Sequence, residues 1–198
     1  MDLIGPLPTT KLGHEWIVTR VDRTSKTIVV ALVHSDRTSA EDIAALTFKE
    51  INCRFGLPLT LTMDIDVRFV GALWRALWRL CGIKLKFTSS YNPQSDPAER
   101  ANRQVLEGLR AAVATVVQCD EWDLDLPHNT FGLNSHISAA TGVSPFEFVH
   151  GISPRVPLMG LDTAVSEEQP QEAIELAQQM ANRHLSAAEI AWQQGRCA

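Results

Sequence analysis

The stretch Leu77–Arg110, LWRLCGIKLKFTSSYNPQSDPAERANRQVLEGLR, holds the pattern on which the fold turns. Its opening residues finish a helix that Gly82 stops. In IKLKFT (Ile83–Thr88) apolar and polar side chains alternate, which puts Ile83, Leu85 and Phe87 on one face of a strand. A polar loop runs from Ser89 to Asp96. Pro97 then suits the first turn of a long helix reaching about Gln118, since its missing N–H would find no partner there in any case. Val105, Leu106, Leu109 and Val113 recur along that helix as its expected buried side, Glu99 falls in its first turn, and Asp96 is placed to cap it.

Working outward toward the N-terminus, LPLTLTMD (Leu57–Asp64) reads as a short strand ending at Asp64. A helix from about Phe69 to Cys81 follows, with Leu73, Trp74, Leu77, Trp78 and Leu80 at core spacing. Ser39 is positioned to cap a helix through AEDIAALTFKEINCRF, with Glu41 and Asp42 near the positive end of its dipole and Gly56 as its stop. Ile43, Leu46, Phe48 and Ile51 form its expected packed stripe. WIVTRV (Trp16–Val21) and TIVVALV (Thr27–Val33) read as a hairpin around the turn formers Asp22 to Lys26. DLIGPLP is the end of a strand that Gly5, Pro6 and Pro8 terminate. Toward the C-terminus, Trp122–Leu133 is expected to be helical, and SPFEFVHG has a Ser-Pro start and a glycine stop. The segment from Ser166 onward, rich in Ala, Gln and Glu, reads as a further helix. The expected organisation is a core over residues 1–158 with a linker and helical extension over 159–198.

Composition sets outer limits. The 198 residues are 45% hydrophobic and 21% charged, enough for one core with an appendage. No window approaches the roughly 18 apolar residues of a membrane span, and the start lacks the basic region of a signal peptide, so an intracellular protein without membrane attachment is expected. Cys53, Cys81, Cys119 and Cys197 make no CxxC pair, which argues against a zinc knuckle or disulfide framework. With a formal charge of -5, any contact with nucleic acid is expected to be local and metal-assisted, or to need other parts.

Three acids stand where acids can do chemistry: Asp2 in the first strand remnant, Asp64 at a strand end and Glu99 in the first turn of a helix. Hard divalent ions need several carboxylate oxygens converging from separate elements, and Mg²⁺ keeps open positions for substrate phosphate. With 23 acids in the chain such a triple is easily found, so taken alone it is a weak signal.

The surrounding residues sharpen it. MDLIGPLP, the VDRTSK turn, FGLPLTLTMDIDVRF, the Leu77–Arg110 stretch, WDLDLPHNTFGLNSHISAATGVSPFEFVHG and SPRVPL occur in an order that resembles the integrase region of gypsy-class long-terminal-repeat retrotransposons, over about residues 1–158. The resemblance implies an α/β, RNase H-like fold, a five-stranded mixed sheet flanked by helices. It implies that Asp2, Asp64 and Glu99 are the catalytic ligands of Mg²⁺ or Mn²⁺, with Asp66 a neighbouring loop acid. The implied reaction is DNA integration: water cuts near a 3′ end of the element's DNA, and the freed 3′-hydroxyl attacks target DNA. Tyr91, Asn92, Gln94, Ser95, Arg100, Asn102 and Arg103 are the expected DNA contacts, with an exposed polar helix face and plain loop chemistry as the alternatives. Lys84 and Lys86 fit a basic rim or simple strand alternation. A homo-oligomer acting on element ends and target DNA, in the nucleus, completes the expectation.

One departure matters. Where the family usually has HPQTDGQTER this chain has NPQSDPAER, with Asn92 in place of the histidine and a shorter run before the glutamate. One residue is worth roughly 100° of helical rotation, so the loop must absorb the change or Glu99 turns away. Pro97 also stiffens the approach. A catalytically silent module, binding nucleic acid or protein as a scaffold, therefore stands beside the enzyme reading. An RNase H acting on RNA–DNA hybrids would share the fold but not the run of integrase phrases.

Overall fold

Side-chain alternation in five strands organises the computed structural model, which describes residues 1–35, 39–64, 69, 71–88, 97–115, 118–155 and 175. Strands β1 (Asp2–Ile4), β2 (His14–Val21) and β3 (Ile28–His34) form one sheet in that order. Strands β4 (Thr60–Asp64) and β5 (Lys84–Thr88) form a second, parallel pair. The helices are α1 (Ala40–Thr47), α2 (Cys53–Phe55), α3 (Ala72–Leu80), α4 (Pro97–Thr115), α5 (Trp122–Ser135) and α6 (Pro145–His150). This is the expected mixed α/β set, but its strands lie in two ladders rather than one continuous sheet. The cause is the brevity of β1, which pairs antiparallel with β2 over three residues before Gly5 and Pro6 end it. On its other side the Met1 ammonium donates to the Thr62 carbonyl at 2.7 Å, a hydrogen bond that ties the start of β1 to β4.

The chain divides into two compact units, Met1–Val21 with Val29–Arg103, and Asp22–Ile28 with Gln104–Ala198. The expected boundary near residue 158 lies outside the described residues, as does the helix expected from Ser166 onward except for Glu175, which is helical and exposed.

In the first unit one face of each strand feeds the core. Met1, Val18 of β2, Ala31 and Val33 of β3, Leu61 and Met63 of β4 pack with Ile43 and Ala44 of α1 and with Trp74 and Trp78 of α3. Ser39 caps α1 as expected, its hydroxyl accepting from the Asp42 N–H at 3.2 Å. The expected stripe then breaks: Ile43 and Ile51 are buried, but Phe48 is 42% exposed. A π-helical turn over Phe48–Asn52 is the reason, because one residue more per turn rotates Phe48 outward while returning Ile51 to the core. On α3 Trp74 and Trp78, four apart, are fully buried in the core, and Leu77 packs against it half-buried. Leu73 and Leu80 are 48% and 88% exposed, correcting the expectation that all five apolar residues face inward. A core-facing stripe on so short a helix takes the i, i+4 pair and leaves positions i−1 and i+6 outside it.

In the second unit, Asn134 clamps the backbone of Ile28 with both halves of its amide: Oδ1 accepts from the Ile28 N–H at 2.8 Å and Nδ2 donates to its carbonyl at 2.7 Å. Helix α4 is described over Pro97–Thr115, and Gln118, the expected last residue, is not helical; Val105, Leu109 and Ala112 are buried and Leu106 and Val113 half-buried. Its approach to α5 is close at Gly108, where an added Cβ would lie 2.2 Å from Asn129 Oδ1. Asn129 is buried and its Nδ2 donates to the Val105 carbonyl at 2.9 Å, so its amide cannot simply swing away. Gly108→Ala is therefore expected to destabilise by about 2 kcal/mol in chemical denaturation. The displaced buried hydrogen bond outweighs the roughly 1 kcal/mol that alanine gains over glycine in a helix.

Among the described residues, no helix is long and apolar enough to cross a membrane.

Candidate functional site

The faces not used by the core carry the polar chemistry. Because Met1, Leu3 and Val18 pack into the core, Asp2 on β1 and Thr19 on β2 point to the opposite side of the sheet. The same alternation on β4 turns Thr62 and Asp64 away from Leu61 and Met63. On β5, Leu85 and Phe87 pack against the core, which leaves Lys84 and Lys86 on the other face. Asp2, Asp64, Lys84 and Lys86 thus project from one side of the first unit. Lys86 is the ladder partner of Thr62, next but one to Asp64.

Helix α4 reaches this face through Asn102. Asn102 Nδ2 donates to Asp2 Oδ2 at 2.5 Å, and Asp2 Oδ1 accepts from the Leu3 N–H at 2.8 Å. Both oxygens of the carboxylate are thereby oriented, and a hydrogen bond to a charged group of this kind is worth about 1.5–3 kcal/mol. Asn102, expected as a DNA contact, is half-buried and set against Asp2. Sequence pattern could place it three residues after Glu99 on a helix, but not opposite an acid a hundred residues away.

Asp64 is exposed at the end of β4. Glu99 lies one helical turn before Asn102 with its side chain 55% exposed, and its Oε1 faces Arg103 Nη2 at 3.7 Å. Arg100 is exposed nearby on α4, and the Arg103 side chain is 69% exposed. Tyr91, Asn92, Gln94 and Ser95, with Asp66 and Asp96, lie outside the described residues.

The donor set can be tested against a divalent ion. Asp2 and Asp64 share one face, and Glu99 sits on the helix that touches Asp2, so hard oxygen donors of the right kind come from three separate elements. They are not drawn together: among the described residues, no group of three His, Cys, Asp or Glu side chains is gathered closely enough to hold a metal ion. Glu99 is directed along its helix by an exposed ion pair worth no more than about 1 kcal/mol. Turning its carboxylate costs little beside the binding energy of a divalent ion, so the three carboxylates fit such an ion in kind.

No protein-family profile matches the chain. It is similar to the Transposon Tf2-3 and Tf2-4 polyproteins of Schizosaccharomyces pombe, at 29% identity over 193 residues, which cover 96% of this chain and 14% of each polyprotein. The chain thus spans about a seventh of the length of these relatives. Among solved structures it is similar to a chain of the simian T-cell lymphotropic virus intasome in complex with PP2A regulatory subunit B56 gamma, with a TM-score of 0.57 and 16% identity. That match covers 85% of this chain and 57% of the other. It is also similar to the catalytic core domain of BIV integrase, with a TM-score of 0.54 and 20% identity over 74% of this chain and 90% of that one.

Proposed function

From a chain homologous to the Tf2 retrotransposon polyproteins and folded like the RNase H-like catalytic cores of retroviral integrases, we propose a metal-dependent DNA 3′-end-processing and strand-transfer activity. The observation that carries this reading is the Asp2 carboxylate, held at both oxygens and bonded to the helix that bears Glu99, with Asp64 on the polar face of the neighbouring β4–β5 pair. Asp2, Asp64 and Glu99 would hold Mg²⁺ or Mn²⁺, which when bound lowers the pKa of a coordinated water and neutralises charge on the leaving oxygen.

The protein's own part is positional. Asn102 fixes the Asp2 carboxylate, so that little reorganisation is needed during reaction. Lys84, Lys86, Arg100 and Arg103, exposed around the acids, suit phosphate oxygens along a DNA backbone and would set its register without reading sequence. Tyr91, Asn92, Gln94 and Ser95 are proposed as further DNA contacts. In the first step water attacks a phosphodiester near the 3′ end and the bond to the leaving 3′ oxygen breaks. In the second, that 3′-hydroxyl attacks a target phosphodiester, the bond from its phosphorus to the target's own 3′ oxygen breaks, and that oxygen leaves as a hydroxyl. Assembly on two DNA ends would call for more than one copy of the chain, acting in the nucleus. A silent scaffold is the second reading, the one in which the Glu99 carboxylate stays turned toward Arg103 along its own helix.

Metal titration separates the two. In about hundredfold excess over its dissociation constant, Mn²⁺ or Mg²⁺ is expected to stabilise the protein by roughly 2.7 kcal/mol, a rise of about 5–10 °C in Tm. Asp64→Asn should lose most of that rise without losing its metal-free Tm. No response to metal in the parent protein would leave only the scaffold.

A further inference from the structure

We propose that Thr19 is a positioning residue for the Asp2 carboxylate, acting through Asn102; the inference rests on the metal-dependent reading above. Thr19 is the ladder partner of Asp2, which places the two β-carbons roughly 4.5–5.5 Å apart on one face of the sheet. It is fully buried, and its hydroxyl has no hydrogen-bond partner. Asn102 Oδ1 is likewise buried and unpartnered, although Nδ2 of the same amide donates to Asp2. Two orphaned polar atoms flank one carboxylate, and they are complementary: the hydroxyl can donate and the amide oxygen can only accept.

Packing alone does not explain a threonine here. Valine has the same shape and strand preference and would bury no hydroxyl. A role for the hydroxyl follows from the two-sided nature of the asparagine amide. An ionised carboxylate only accepts, so Asn102 must present its nitrogen to Asp2. Flipped, it would set oxygen against oxygen. A donor on Oδ1 would fix the productive orientation, and Thr19, the ladder partner of the aspartate that Asn102 holds, carries a buried hydroxyl. The two atoms make no direct hydrogen bond, so the proposed relay is Thr19–water–Asn102–Asp2. Asp2 would then be held by a relay beginning on the neighbouring strand.

The full chain, free of metal, gives the test through NMR of the Asn102 side-chain amide. Thr19→Val is expected to speed exchange of those amide protons by about tenfold, and Thr19→Ser to restore the parent rate. Thr19→Ala should match valine, which keeps the hydroxyl distinct from packing if one variant folds poorly. Mn²⁺ affinity should fall severalfold in Thr19→Val and recover in Thr19→Ser. A purely structural Thr19 predicts the opposite, an unchanged amide signal in Thr19→Val, and that result would overturn the inference. The amide readout needs no metal. A parent that ignores Mn²⁺ yet shows the Thr19-dependent amide signal therefore defeats the proposed function and leaves the positioning role standing.

Discussion

Asp2→Asn is expected to slow Mn²⁺-dependent cleavage of a labelled DNA duplex by about a thousandfold while shifting metal-free stability by no more than about 1 kcal/mol. The rate effect follows from what the substitution removes: one negative charge and one hard oxygen ligand from a site whose bound ions supply several kcal/mol of transition-state stabilisation. A loss of about 4 kcal/mol is three decades in rate at 1.36 kcal/mol each. The small stability effect follows from what it keeps. An asparagine oxygen at position 2 can still accept from Asn102 Nδ2, so the losses are the charge assistance of that bond and the local side-chain acceptor of the part-buried Leu3 N–H. Rate and denaturation measured on the same preparation decide the matter, and a rate loss below about tenfold would place the chemistry elsewhere.

The contrast between Asp64 and Asn102 shows how far the residue pattern could carry. Asp64 closes a run of Thr, Leu, Thr and Met that reads as a short strand, and β4 ends on it as expected. The five strands, the Ser39 cap and the long helix after Pro97 were readable for the same reason: each depends on neighbours a few residues away. Asn102 on Asp2 and Thr19 opposite Asp2 depend on pairing across 100 and 17 residues, which no local periodicity encodes. The outward turn of Phe48 was hidden in another way, because FKEIN has nothing in its composition to distinguish a π turn from an α turn. For α3 the pattern offered too much, five apolar residues for a helix only nine residues long, and which of them reach the core depends on what packs against them.

Trp78→Ala is expected to cost the first unit about 4 kcal/mol, and Leu80→Ala two residues further on less than about 0.5 kcal/mol, although both side chains are large and apolar. Trp78 has no exposed surface and meets Trp74 edge-on, with ring centroids 5.4 Å apart at 69°, while Trp74 in turn lies 5.0 Å from Phe69. Removing its ring opens a cavity at the centre of that cluster and ends a ring contact worth about 0.5–1.5 kcal/mol beyond burial. For a chain of this size the loss corresponds to roughly 8–16 °C in Tm, a large share of the 5–15 kcal/mol that holds a typical domain. Leu80, 88% exposed, has little burial to lose. Trp78→Phe discriminates further. The indole N–H of Trp78 is buried without an acceptor, so phenylalanine removes an unpaired donor while keeping an aromatic ring. Its cost should fall well below that of alanine, to about 1–2 kcal/mol, because relief of the orphaned donor offsets part of the smaller cavity. Thermal and denaturant unfolding followed by the fluorescence of the remaining tryptophans would rank the three variants. An order with Leu80→Ala as damaging as Trp78→Ala would mean that α3 packs by its other face.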